Sequence, residues 1–379
     1  MSRSHSPSRE FFKYRGSAEF LILDEYAVVS ADLEKDRQVI IDLWRRNLAA
    51  INHLEEKYDW HFLNSPFGPG QIWILEANSR PIGTTSLGMR PLKLRKAVTS
   101  AGVACDLAVN KEHRFLQPAL MLQRALIASA HARIRILYGA PNSGGASVMK
   151  FAGYRESCCL HRYAKVLRIS HYLQRFGKFG SMLPFVGRIA DLGFAASHSF
   201  GWRKDRRVTK LMPSFDERFD EFWSRLSSEL PTLTVRDRRF LKWRYCECPL
   251  RQYKTLGLLT EDESRLLGYL IYYVEDHSAV CADVLALGGA EHLDCLLSCW
   301  AAQAWGDGLG SLSASCSGGA LAVTLVRQGF TRRSVAQASK LNRTRRLEPC
   351  KTLFTHERHS GTEPSVADSW YYTDGDSPY

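Results

Sequence analysis

A ten-residue pattern occurs twice in this chain, and a duplicated pattern restricts the fold to one built from two like units. Lys57-Tyr58-Asp59-Trp60-His61-Phe62-Leu63-Asn64-Ser65-Pro66 is echoed by Phe240-Leu241-Lys242-Trp243-Arg244-Tyr245-Cys246-Glu247-Cys248-Pro249. Trp60 matches Trp243 and Pro66 matches Pro249 at one common displacement, and each copy is followed by a strand-like run with a glycine, Gly83 or Gly268. The ends match as well: Asn142-Ser143-Gly144-Gly145-Ala146 leads to Gly153-Tyr154, and Cys316-Ser317-Gly318-Gly319-Ala320 leads to Gly329-Phe330. Two copies of one domain follow. The 379 residues have room for them at roughly 100–200 residues per domain.

Hydrophobic periodicity places the elements within each copy. Phe20-Leu21-Ile22-Leu23 reads as an opening strand, and Asp36 to Asn52 carries Val39, Ile40, Leu43, Trp44, Leu48 and Ile51 at helical spacing. Strands are expected at Ile72 to Leu75, Pro81 to Gly88 and Val103 to Val109, and a long amphipathic helix from Pro118 to Ile134. Ile136 to Gly139 is a short strand, Ala146 to Phe151 a short helix and His161 to Leu167 a closing strand. The expected fold class is α/β, a twisted mixed sheet with flanking helices, built twice. The division reads 1–18 disordered, 19–168 first domain, 169–205 basic aromatic linker, 206–355 second domain and 356–379 acidic disordered tail.

A formal charge of +12 asks for an anionic partner. It gathers at Arg203 to Arg207, Arg236 to Arg239 and Arg343 to Arg346, any of which could meet phosphate or form a solvated face. No nucleic-acid module signature accompanies these clusters. Ten cysteines lack the four-ligand spacing of a zinc site, so no metal is expected and the thiols read as reduced and buried. The first ten residues have no apolar stretch of the kind a secretion signal needs, and no run approaches the ~20 apolar residues of a membrane span. Cytoplasmic residence is the expectation, with peripheral contact of the basic, aromatic segment 171–207 with an anionic membrane as an open alternative to a docked linker.

The chemistry is expected where a strand hands over to a helix, at Asp106-Leu107-Ala108-Val109-Asn110-Lys111-Glu112-His113-Arg114-Phe115-Leu116-Gln117-Pro118-Ala119-Leu120. Unpaired backbone N–H groups and the helix dipole make such a junction suited to a pyrophosphate. Strand, basic loop, helix, short strand ending in Pro141-Asn142, short helix and Gly-Tyr together resemble the GNAT superfamily of N-acetyltransferases. The Trp-x5-Pro element and the stretch His113 to Leu126 resemble, more narrowly, a tandem GNAT group found with bacterial polysaccharide genes. The likeness covers residues 20–168 well and 206–355 weakly.

That resemblance implies an acyl-CoA co-substrate, acetyl-CoA or a longer homologue. Its loop would run from Arg114 through Phe115, Leu116, Gln117 and Pro118 to Ala119, with Gln117 where the family has a glycine. Backbone groups of Leu107, Ala108 and Val109 would hold the pantetheine arm, and Asn142 would contact it. The family's usual Tyr acid falls at Met149, leaving Tyr154 or Tyr163 as substitutes. Asp106 is the candidate base, since desolvation in an apolar strand raises a carboxyl pKa, and His113 is a weaker one. In the second copy Glu291-His292 echoes Glu112-His113, but Leu293 replaces Arg114 and Ser298 replaces Ala119. That half is expected to form a wall of the acceptor cleft without binding acyl-CoA, and Asp283, matching Asp106, to be structural. The implied function is acyl transfer to an amine or hydroxyl of a sugar or cell-envelope precursor. The alternatives are a catalytically silent binding or scaffold protein and a Fem-type aminoacyltransferase. The sequence sets no oligomeric state.

Overall fold

The structure, a computed structural model, describes residues 11–13, 25–48, 52–94, 97–132, 134–168, 170, 207–226, 232–333, 350–358 and 370–377. In the first half these form β1 (Phe11–Lys13), β2 (Tyr26–Ser30), α1 (Arg37–Asn47), α2 (Leu54–Tyr58), β3 (Gln71–Ala77), β4 (Arg80–Leu94), β5 (Ala97–Val109), α3 (Leu116–Ala130), β6 (Ile136–Gly139), α4 (Ser143–Phe151) and β7 (Arg155–Val166). The second half gives β8 (Val208–Met212), α5 (Glu217–Leu226), β9 (Thr232–Thr234), α6 (Arg238–Leu241), β10 (Lys254–Leu259), β11 (Leu266–Glu275), β12 (Ser278–Ala286), α7 (Ala290–Gly306), β13 (Ser311–Cys316), α8 (Gly319–Arg327), β14 (Thr331–Arg332) and β15 (Cys350–Glu357). The expected mixed α/β architecture is present in both halves. The opening strand is Tyr26–Ser30; the expected strand at Phe20 to Leu23, the expected linker 169–205 apart from residue 170, and the Arg343 cluster lie outside the described residues.

One sheet runs through both halves in the order β1-β2-β3-β4-β5-β6-β15-β7-β13-β12-β11-β10-β8, with β14 beside β7 and β9 beside β4. Helices cover each half on both faces. In the first half Ile40, Ile41 and Trp44 of α1 pack with Tyr58, Phe62 and Ile74 on one face, and Leu122 and Leu126 of α3 pack with Val109, Leu137 and Met149 on the other. The second half repeats this with Phe219, Phe222 and Tyr269 on one side and Leu296, Trp300 and Leu312 on the other.

The halves exchange strands. β15, expected in the second domain, pairs antiparallel with β6 (Phe354 opposite Gly139) and with β7 (Cys350 opposite His161). β7 runs on to pair with β13, Ala164 opposite Ser313. Local pattern reading cannot see this, because a strand's partner is set by topology and not by its own alternation.

The repeated tryptophans meet at the junction. Each lies in a π-helical turn, Asp59–Leu63 or Lys242–Cys246. Trp60 and Trp243 stack with ring centroids 4.7 Å apart, and their indoles bond reciprocally, Trp60 Nε1 to the Trp243 carbonyl at 2.9 Å and Trp243 Nε1 to the Trp60 carbonyl at 3.3 Å. Reciprocal contacts of this kind define a local pseudo-twofold axis relating the two halves.

Three expectations need correction. Residues 370–377, read as an acidic disordered tail, are packed between the halves, with Trp370 and Tyr372 buried against Tyr138. Acidity signals solvation only when the carboxylates lack partners, and Asp376 meets the buried Arg236 at 2.7 Å. Arg236 is therefore not open to phosphate; it bonds Asp283 and Asp376, while Arg238 pairs with Glu217 and Asp220. Cys248, Cys281 and Cys316 are buried, but Cys159 and Cys246 are exposed; all ten cysteines are free.

Candidate active site

In each half two parallel strands start together and then diverge. β5 and β6 pair at Ala101 with Ile136, Gly102 with Leu137 and Val103 with Tyr138; β12 and β13 pair from Ser278 with Ser311 to Cys281 with Ala314. Beyond those pairs each strand turns an unpaired edge into the gap. Backbone N–H and C=O groups along such an edge require partners.

A bulge in β5 shapes the first gap. The register slips between Thr84–Ala108 and Ser86–Cys105, so two residues of β5 oppose one of β4, and Asp106 sits at φ 51°. Asp is among the few residues that tolerate this region. The bulge turns the Asp106 side chain toward α2, where Oδ1 accepts from Lys57 Nζ at 2.6 Å with both side chains buried. Its Oδ2 has no hydrogen-bond partner. Beside it, burial and the neighbouring Asp106 hold the Cys105 thiol well above its ordinary pKa. A thiol held this way disfavours the thiolate that a nucleophile needs.

Other expected residues shape the mouth of the gap. Ala108 and Val109 are buried and pair with Thr84 and Gly83 of β4; Leu107 packs toward α3. Arg114 is a staple: Nε donates to the Val109 carbonyl at 2.8 Å, and Nη2 donates to the carbonyl and Oδ1 of Asn47 at 3.3 and 3.1 Å. This fixes the loop to the C-terminal end of α1. No side chain caps α3. Phe115 N is spent on the His113 carbonyl and Pro118 has no N–H, so Leu116 and Gln117 supply the donors of the first turn. Phe115 and Leu116 are 51% and 42% exposed, two large apolar side chains held in water beside those donors. Gln117 is exposed, while Pro118 and Ala119 are buried.

The remaining expectations separate from this gap. The Asn142 side chain caps α4, accepting from Gly145 N at 2.9 Å. Met149 packs against Gly139, whose missing Cβ would stand 2.7 Å from Met149 Cε. Tyr154 is buried with its hydroxyl unpartnered and its pKa raised by burial, and Tyr163 faces the core of the second half. His113 Nδ1 bonds the Tyr26 hydroxyl at 2.8 Å.

The sequence reading missed His61, Arg90 and Tyr138, all buried near the start of the gap, with Arg90 and Lys57 both acting electrostatically on His61 and Cys105. One signal was available: His61 and Arg244 follow the two repeated tryptophans, so the motif carries a basic residue toward the junction in both copies.

The second gap is filled by the chain itself. Ser317 N donates to the Tyr372 carbonyl at 3.1 Å, Tyr372 N to Ser317 Oγ at 3.1 Å, and Thr373 bridges Cys316. Thr373 Oγ1 donates to Asp283 at 3.0 Å, and Arg244 donates to the carbonyls of Gly375 and Ser377 at 2.9 and 3.1 Å. Gly375 passes so close to Tyr245 that a Cβ there would lie 2.1 Å from its hydroxyl. An extended peptide therefore occupies this gap, with amides bonded to its edge. Trp370 and Tyr372 pack against Tyr138 at the start of the first gap, and among the described residues no segment hydrogen-bonds into it alongside β5 beyond Val103.

No protein-family profile and no curated protein sequence matches the chain. Solved structures do match its fold. A GCN5-related N-acetyltransferase from Anabaena variabilis aligns at TM-score 0.58 and 12% identity over 87% of this chain and 72% of that one. N-myristoyltransferase of Saccharomyces cerevisiae with bound myristoyl-CoA aligns at TM-score 0.56 and 9% identity, over 90% and 84%. A tandem GNAT protein from the clavulanic acid biosynthesis pathway aligns at TM-score 0.52 and 12% identity, over 88% and 98%. At such identities the likeness is one of fold, and it extends across both halves. The chain has, across both halves, the fold of these GNAT and N-myristoyltransferase structures.

Proposed function

We propose that the chain is an acyltransferase whose first half binds acyl-CoA in the gap between β5 and β6 and passes the acyl group to an amine or hydroxyl acceptor. The observation that carries this reading is the contrast between the two gaps. The second is filled by a segment whose Tyr372 amide and carbonyl bond to Ser317, which supports the reading that such a gap suits amide groups. A pantetheine arm, with two amides in an extended chain, offers the same groups to the first. The N–H groups of Leu116 and Gln117 at the start of α3 suit the pyrophosphate. Arg114 serves by holding their loop to α1.

Acyl-CoA supplies a thioester. Transfer forms a bond from the acceptor nitrogen or oxygen to the acyl carbon and breaks the bond from that carbon to sulfur. The acceptor's proton passes to Asp106 Oδ2, and the thiolate leaves with a proton from solvent. Direct transfer without an acyl-cysteine suits a Cys105 thiol whose ionisation burial and Asp106 disfavour. The acceptor class we favour is a sugar or cell-envelope precursor, which suits a chain of net charge +12 when the acceptor is anionic.

Calorimetric titration of the full chain with acetyl-CoA tests the reading. We expect one site per chain, lost in Arg114→Glu, which breaks the staple and sets a negative charge at the pyrophosphate. Two equal sites, or binding untouched by Arg114→Glu, would remove the assignment of the first gap.

A further inference from the structure

Three polar groups beside the first gap lack what their surroundings demand. His61 is 1% exposed, and neither ring nitrogen has a hydrogen-bond partner. Asp106 gives Oδ1 to Lys57 and leaves Oδ2 unmet. Arg90 is 4% exposed; its Nη1 donates to the Met89 carbonyl and its guanidinium lies 4.4 Å over the Trp243 ring. No carboxylate among the described residues comes within ion-pair distance of Arg90. A buried guanidinium with no carboxylate in contact is a costly arrangement; desolvation holds its pKa down to about 10, and Tyr138 and Asp376 act on it the other way without pairing with it.

The second half shows similar needs met. Arg244, the counterpart of His61, donates to two main-chain carbonyls. Asp283, the counterpart of Asp106, accepts from the Thr373 hydroxyl. The buried Arg236 has a second carboxylate, Asp376, in addition to Asp283, at 2.7 Å each. All these added partners come from one segment, residues 373–377, in which a 3-10 turn at Asp374–Asp376 follows the extended Thr373. It delivers an acceptor atom, a donor hydroxyl and a carboxylate.

We propose that the first half receives the same three features from its acceptor substrate: a carboxylate for Arg90, an N–H or O–H for Asp106 Oδ2, and a hydrogen-bonding oxygen for His61. The acceptor is an amino or hydroxy acid, and a neutral amine is a poor substitute. Burial first, and then the cations Arg90, Lys57 and Arg244, hold the His61 pKa well below its ordinary value, and a neutral imidazole offers one donor and one acceptor. The same cations favour an acidic ligand over a basic one. This rests on the acyl-transfer reading above, whose nucleophile is the group donating to Asp106.

The test pairs acceptors that differ in the acidic group: D-glucosaminate and L-serine against D-glucosamine, L-serinamide and D-glucosamine 6-phosphate. With acetyl-CoA present, the carboxylate probes should be acetylated at least about tenfold more efficiently and should raise the thermal midpoint of the full chain. Arg90→Met should erase that preference and leave acetyl-CoA affinity unchanged. It should also raise the midpoint of the ligand-free chain, because a buried charge with no carboxylate in contact is gone. Preference for the neutral or phosphorylated probes overturns the proposal, as does a ligand-free midpoint that falls in Arg90→Met. Absence of acetyl-CoA binding would sink the acyl-transfer reading instead, and the ligand-free midpoint would still decide the role of Arg90.

Discussion

The two halves place the same carboxylate beside the same kind of gap and leave it in opposite conditions. Asp283 is saturated by Arg236, Tyr269 and Thr373, while Asp106 has one cation on one oxygen and nothing on the other. Residues 370–377, packed between the halves, close the gap of the second, and the needs of the first gap's Asp106, His61 and Arg90 stay unmet. A site that is complete cannot take a ligand, and a site left incomplete costs stability until one arrives. Duplication thus yields one half that holds the molecule together and one that is free for chemistry.

The largest test of that difference is to remove the segment's charge. Asp376→Ala leaves Arg236 with Asp283 alone and strips a partner from Thr234, so we expect a loss of about 3–5 kcal/mol in chemical unfolding. A loss below about 1 kcal/mol would mean that the segment is a loose end and not a filling of the gap. The pseudo-twofold axis is probed by its tryptophans. Trp60→Ala and Trp243→Ala should each cost about 3–5 kcal/mol. Because each ring stacks on the other and each backbone carbonyl accepts the other's indole, the double variant should cost less than the two combined, with a coupling of about 0.5–3 kcal/mol. Additive losses would place the rings in separate cores and break the symmetry.

Much of this organisation was legible in the residues. The Trp-x5-Pro repeat, Gly83 with Gly268, and the strand, loop and helix from Asp106 to Ile134 are local patterns, and local patterns survive into structure. The ends of elements moved: α3 begins at Leu116 and β4 runs on to Leu94. What escaped was long-range. β15 lies in the sheet of the first half because β6 and β7 diverge around it, and no property of Cys350 to Glu357 announces this. Asp374-Gly375-Asp376 reads as solvated by composition, and its burial depends on an arginine 140 positions away. His61 looked like part of a structural motif, and its significance appears only beside Arg244.

That last pair gives the smallest and most specific effect. Burial and the cations Lys57, Arg90 and Arg244 push the His61 imidazole well below its ordinary 6.5, whereas the unfolded chain takes up a proton near that value. Above about pH 6.5 both states are neutral there and the stability is fully present; below it the unfolded chain binds the extra proton, and stability falls as pH falls. His131, His161 and His292, also lowered by burial, act with the same sign. His61→Gln keeps a donor and an acceptor but cannot titrate, so its unfolding midpoint should decline less than the parent's between pH 7.5 and 5.5. Arg244→Gln, at the matching position, should lose the carbonyl bonds at every pH and, by removing the smallest of the cationic effects on His61, change the slope less than His61→Gln does. Equal slopes for His61→Gln and the parent would mean that His61 already holds its proton or a partner in the folded chain, and the contrast between an open and a filled half would then have to rest on Asp106 and Asp283 alone.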